Sequence, residues 1–308
     1  MKKEKKYSLN LHLEDYIAIG FVLVVGLMYL IVYLKRWQVT HGMAVTFYYF
    51  LFPFILVLFK EAFSYFLSDN PSSKFFLKVL RDWFPFLLIL SMYYSFYDGL
   101  NHFIVSTDKD QLLADWDKFL FGGHISVWLE RYMGIPYLVD WLSFCYLAFV
   151  FLMPLIAGVF YFRRDYLAFR TVMIGVVLME CIGCLGYTIM PAVGPRFAFR
   201  DWYSISITGG KMTYWALDFI NFTRLPRDCF PSLHVGLTAL FYFSSFRHCR
   251  WLFWCVTPVI LSLWFACIFL RYHYLVDVVA GLLLAVAIHF FSVKVLEPYY
   301  RKHDLISG

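Results

Sequence analysis

The chain has 308 residues, of which 61% are hydrophobic, 22% aromatic and only 16% charged. Soluble domains are about 45–50% apolar and about 25% charged, so this composition excludes an ordinary cytosolic domain, a disordered tail and a coiled coil and leaves a polytopic membrane protein. The net charge of +6 is spread along the chain without a basic stripe, which speaks against nucleic acid as a partner.

A membrane-crossing helix needs about 20 mostly apolar residues. In chain order, such runs lie at 16–34, 42–59, 83–97, 141–162, 171–190, 232–246, 251–270 and 278–293. The predicted fold class is therefore all-α, a polytopic membrane bundle of about eight spans. The first run follows Met1-Lys-Lys-Glu-Lys-Lys, but it is too long for a signal peptide, and no small-residue cleavage site precedes Lys35-Arg36. Eight spans put both termini on one side. The Lys and Arg residues are more numerous on that side, which predicts cytoplasmic termini. Two long segments, 101–140 and 191–230, fall on the other face. Within the first, residues 111–133 mix apolar and charged residues, which suits interfacial helices. The seven cysteines are odd in number and mostly sit in apolar runs, including Cys181-Ile-Gly-Cys184, so they read as packing residues.

Three polar clusters fall on one membrane face by helix counting, whichever way the chain is inserted. They are Pro191-Ala-Val-Gly-Pro-Arg196, Cys229-Phe-Pro-Ser232-Leu-His234-Val-Gly236, and Arg271-Tyr-His273-Tyr-Leu-Val-Asp277 with Gly281 beyond. Polar groups converging on one end of a bundle define a candidate site. Pro231 suits a first helical turn, whose free N–H groups and dipole favour an anion, above all phosphate. Ser232 adds a hydroxyl donor, and His234 stands in the same turn. His273 and Asp277 are four residues apart and share a helix face. A carboxylate on one imidazole nitrogen sets the tautomer and frees the other nitrogen to attack. Arg196 and Arg271 offer forked, permanently charged donors for phosphate oxygens. This set suits two-step phosphoryl transfer through a phosphohistidine, with His234 as acid and base and no metal or other cofactor.

These residues resemble the type 2 phosphatidic acid phosphatase superfamily, and more closely its inositol phosphorylceramide synthase-like branch. The resemblance rests on Phe230-Pro-Ser-Leu-His234 followed by His273-Tyr-x-x-Asp277, with Gly194-Pro-Arg196 and Asp115-Trp-Asp-Lys-Phe-Leu-Phe-Gly-Gly123 beside them. Leu233 stands where the common pattern has Gly, which points to the synthase-like branch. Ala266-Cys267 stands where a Ser-Arg pair is usual, so Arg271 is assigned to phosphate by charge and proximity alone. The resemblance implies His273 as nucleophile, Asp277 as its partner, His234 as acid/base and Ser232 as a phosphate ligand. It divides the chain into two additional spans (1–75), a six-span catalytic core (76–298) and a cytoplasmic tail (299–308). The expected substrate is a phospholipid or polyprenyl phosphate, met at the periplasmic, extracellular or lumenal face.

Plainer readings stand beside these. Arg271 also suits a boundary residue that snorkels. Arg224 and Arg227 read as solvated, and Glu180, deep in an apolar run, reads as structural. Asp98, Asn101 and His102 gather at a span end on the site face. Two rivals to an enzyme are an anionic-lipid transporter and an inactive scaffold. The transporter predicts broken helices near the midplane and repeated halves, and neither pattern is visible in the sequence.

Overall fold

The computed structural model describes residues 13–36, 75–76, 78–87, 101, 104–223 and 225–302. The chain separates into two compact units, Met1–Leu100 and Asn101–Gly308. In the first, α1 (Leu13–Arg36) carries acidic residues in its first turn, where the helix dipole favours them. Its 24 residues give a length of about 36 Å. A stripe of Ala18, Val22, Val25 and Tyr29 is buried, following helical spacing. The predicted span at 42–59 lies outside the described residues, as does most of 83–97.

The second unit holds the rest of the fold. The described helices include α2 (Asp110–Phe121), α3 (Pro136–Phe162), α4 (Tyr166–Ile189), α5 (Lys211–Thr223), α6 (Leu233–His248), α7 (Arg250–Phe269) and α8 (Leu275–Phe291). A π turn at Ser292–Leu296 carries α8 into α9 (Glu297–Lys302). Among the described residues, five helical segments are long and apolar enough to cross a membrane: Leu13–Val32, Pro136–Phe162, Tyr166–Ile189, Arg250–Phe269 and Leu275–Lys302. The regular secondary structure among the described residues is entirely helical, and the protein is an integral membrane protein. The segment expected at 232–246 forms α6, which at 16 residues is about 24 Å long and is not among these five segments.

The helices begin and end for local reasons. Pro136 occupies the first turn of α3, where its missing N–H is no loss. The Asp165 carboxylate accepts from the Ala168 N–H and caps α4. The α6 and α8 helices pack against each other over much of their length. Where they cross, a Cβ on Gly281 would sit 2.3 Å from the Ser232 carbonyl oxygen, so only glycine permits this approach. At the far end, Arg247 makes paired hydrogen bonds of 2.7 and 2.8 Å to Glu297, joining the end of α6 to α9. The fold thus brings the starts of α6 and α8 together at one end of the bundle.

Candidate active site

His273 is delivered by the way α7 ends. The Tyr272 N–H bonds to the Cys267 carbonyl and the Arg271 N–H to the Ile268 carbonyl. This crossed pair is a Schellman closure of the helix. The residue required in the left-handed conformation is Arg271, with φ of 64°. A side chain there costs about 1–2 kcal/mol relative to the right-handed region. The turn reverses the chain, and His273 follows it immediately before α8. The sequence reading put His273 and Asp277 on one helix. In the structure Tyr274 is the residue before the helix and only Asp277 is helical, yet the pair still meets. The Nδ1 of His273 lies 3.0 Å from the Asp277 Oδ2, and both side chains are buried.

His234 comes from the first turn of α6. Ser232 is the cap residue, and its hydroxyl accepts from the Val235 N–H at 3.4 Å. Pro231 therefore precedes the cap rather than opening the helix. Ser232 is fully buried, and its N–H bonds to the Asp277 carbonyl at 3.1 Å, which fixes α6 against α8 at the site. The His234 Nδ1 lies 3.4 Å from the His273 Nε2. With the His273 Nδ1–H directed to Asp277, its Nε2 holds a lone pair, so the His234 Nδ1–H is the donor between the rings.

An aromatic stack holds this pair. Tyr146 of α3 lies against His234 on one side and Tyr272 on the other, with ring centroids 4.7 Å apart in both cases. Phe149 packs on His234 at 4.4 Å. The Arg196 guanidinium sits 5.0 Å from the Tyr272 ring centroid, and its Nη1 donates to the Tyr272 hydroxyl. The backbone supports the same arrangement, since the Arg196 N–H bonds to the Arg271 carbonyl at 2.8 Å. Gly194 makes that contact possible: with φ of 89°, its Cβ position lies 2.4 Å from the Tyr272 carbonyl oxygen. Arg196 is thus tied to the turn that carries His273.

Arg271 has other partners. It is buried, with its Nη2 2.8 Å from the Ile205 carbonyl and 3.4 Å from the Glu130 Oε1, and it lies over the Tyr203 ring at 4.0 Å. Its Nε has no hydrogen-bond partner among the described residues. Burial pulls its pKa down, and the nearby Glu130 carboxylate opposes this. Arg227, read from sequence as solvated, is buried and ion-paired with Asp108, and its Nη2 bonds to the Val105 carbonyl. Arg224, Asp98 and His102 lie outside the described residues. Glu180 keeps one buried carboxylate oxygen without a hydrogen-bond partner among the described residues.

Two carboxylates that the sequence reading did not single out organise the site from α2. Asp110 accepts from the N–H groups of Val193 and Gly194 at 3.0 and 2.9 Å and from the Tyr274 hydroxyl at 2.8 Å. Asp117 accepts from the N–H groups of Leu275 and Val276 at 3.0 and 2.8 Å, capping α8 in place of the side chain of Tyr274. Both lie on the buried stripe Asp110, Leu113, Ala114 and Asp117. A charge at the i and i+7 positions of an apolar i+3, i+4 stripe was the available signal. Burial raises the Asp117 pKa to about 6, against the lowering effect of its two N–H donors. Glu130, paired with Arg271, was likewise not singled out.

Cys229 also departs from its reading as packing. Its Sγ–H donates to the Asp277 Oδ2 at 2.8 Å, and the sulfur lies 3.7 Å from the His273 Nδ1. These three side chains are the one group among the described residues whose His, Cys and carboxylate atoms approach as metal ligands would. Each of those atoms is already engaged by the others through hydrogen bonds. None of the seven cysteines is in a disulfide, and Cys181 and Cys184 are buried.

A buried His–Asp pair thus faces a second histidine, beside an arginine fixed at one end of the helical bundle. Residues 111–291 match the PAP2 superfamily, and the chain belongs to it. The match runs from α2 to the end of α8 and spans all three polar clusters. Searches of curated proteins and of solved structures gave no match.

Proposed function

We propose that the protein is a lipid phosphatase or lipid head-group phosphotransferase of the inositol phosphorylceramide synthase-like kind, acting through a phosphohistidine on His273. The observation that carries this reading is the relay Asp277, His273, His234, with separations of 3.0 and 3.4 Å. Asp277 holds the Nδ1–H and leaves the Nε2 of His273 as the nucleophile. The substrate phosphate enters between the two rings. The His273 Nε2 bonds to phosphorus as the P–O bond to the lipid alcohol breaks. His234, carrying the proton that the phosphate monoanion brings, gives it to the leaving oxygen. It then takes a proton from the incoming water or lipid hydroxyl, whose oxygen displaces His273 from phosphorus.

Arg196 and Ser232 fit as phosphate ligands by position. Arg271 fits through its unpartnered Nε, although its Nη2 faces both Glu130 and Ile205. The substrate is a phospholipid or polyprenyl phosphate reached from the bilayer, and the site faces the non-cytoplasmic side. The six-span grouping at 76–298 belongs to this proposal.

The test is phosphate release by detergent-purified protein from phosphatidic acid and polyprenyl diphosphate, with lipid products analysed in the same tubes when inositol phospholipid and candidate lipid-alcohol acceptors are present. Free phosphate that disappears in His273→Ala identifies a phosphatase. A new His273-dependent lipid without free phosphate identifies a transferase. Turnover that survives His273→Ala would overturn the nucleophile assignment, and no turnover of any lipid would favour a transporter or scaffold.

A further inference from the structure

We infer that Cys229 is a positioning residue whose thiol tunes the Asp277–His273 pair by sharing the carboxylate oxygen that holds the imidazole. The inference rests on the reading of His273 as nucleophile and concerns a residue that reading does not use.

The geometry places two donors on one acceptor. The His273 Nδ1 approaches the Asp277 Oδ2 at 3.0 Å, and the Cys229 Sγ approaches the same oxygen at 2.8 Å. Asp277 is completely buried, so no water competes for this oxygen. The Cys229 backbone is held in turn, its N–H bonding to the Ala192 carbonyl at 3.2 Å. Burial and the Asp277 charge push the thiol pKa well up, so the sulfur remains a donor near neutral pH.

An oxygen that accepts a second hydrogen bond offers less charge to the first. The thiol therefore lowers the affinity of His273 for a second proton and weakens the hold of Asp277 on the phosphorylated imidazole. Both effects favour turnover over a long-lived phosphohistidine. Removing the thiol strengthens the Asp277–His273 bond, and replacing it with a hydroxyl, a stronger donor, weakens that bond further. The two changes act in opposite directions, which loss of packing alone would not do.

The other ionisable groups that face Cys229, His273 or Asp277 include His234 from α6, Cys267 from α7, Asp110 and Asp117 from α2, Tyr146 from α3, Tyr187 from α4, and Asp228 and Tyr274 from the adjoining segments. Burial raises the Asp117 pKa to about 6, near the range of an imidazole. Its contribution is removed by repeating each measurement in an Asp117→Asn background.

The experiment compares wild type, Cys229→Ala and Cys229→Ser by the pH dependence of kcat/KM on phosphatidic acid in detergent. Carbethoxylation of His273 by diethyl pyrocarbonate, corrected with His273→Ala, is followed over the same pH range. The acid limb and the carbethoxylation midpoint are expected to rise by about half a unit or more in Cys229→Ala and to fall in Cys229→Ser, as for a hydrogen bond to a charged group. Cys229→Ser keeps a donor at the same position on a slightly smaller side chain, and a fall in its midpoint carries the test if Cys229→Ala does not fold. Midpoints that coincide with wild type, or that move the same way in both variants, would overturn the inference. If the protein turns over no lipid phosphate, the functional reading fails, while the carbethoxylation midpoints still decide the role of Cys229.

Discussion

Asp117 and Leu275 are linked across the fold: the carboxylate of the first accepts the N–H of the second at 3.0 Å and so caps the helix on which Asp277 stands. Because Asp277 lies only two residues beyond, the position of the His273 partner depends on a side chain from α2. Removing the cap with Asp117→Ala is expected to cost about 1 kcal/mol, the usual loss for a helix cap, and to reduce kcat more than KM. Chemical denaturation and steady-state kinetics on the same preparation check this. A raised KM with unchanged kcat would place Asp117 outside the positioning of the pair.

The Asp117 carboxyl also makes a pH prediction. Its folded pKa, about 6, lies above its ordinary value of 3.8. The folded state therefore holds this proton more tightly than the unfolded state, and its contribution to stability is full below about 4 and is lost as pH rises towards about 6. Thermal unfolding midpoints measured from pH 4 to 7 should show this loss in wild type. In Asp117→Asn that component of the slope should be absent; an unchanged slope would refute the assignment.

His234 as general acid predicts a dependence on the leaving group. With a lipid phosphate, His234→Ala should lower kcat by about 10²–10⁴-fold, the usual range for a positioned acid. With p-nitrophenyl phosphate, whose leaving group needs no proton, the loss should be far smaller. Equal losses on both substrates would remove His234 from proton transfer.

Arg271 and Glu130 can be separated from phosphate binding by a double-variant comparison. Arg271→Met leaves the buried Glu130 carboxylate without its cation, and breaking such a pair costs about 3–5 kcal/mol. Adding Glu130→Gln should restore much of the stability, read as the thermal midpoint. If Arg271 also holds phosphate, activity should stay low in the restored double variant. Full recovery of activity would make Arg271 purely structural.

The proposed relay uses no divalent ion, so a prolonged incubation with EDTA should leave phosphate release unchanged. Strong inhibition reversed by added zinc would instead bring the Cys229, His273 and Asp277 set forward as ligands.

Composition by itself determined that this is a helical membrane protein, because a chain with 61% hydrophobic residues cannot expose them to water. The sequence also put His234, His273 and Asp277 on one face by the parity of an expected eight spans, and the structure brings the three side chains together. Local sequence did not determine how His273 is presented. The left-handed turn at Arg271 lacks the glycine that usually marks a helix end, and the partners that hold the turn are distant. Arg271 meets Glu130 across 141 positions, Leu275 meets Asp117 across 158, and Cys229 meets Asp277 across 48. No periodicity or spacing encodes such contacts. They arise only when packing excludes water and each buried donor and acceptor must find its partner within the fold.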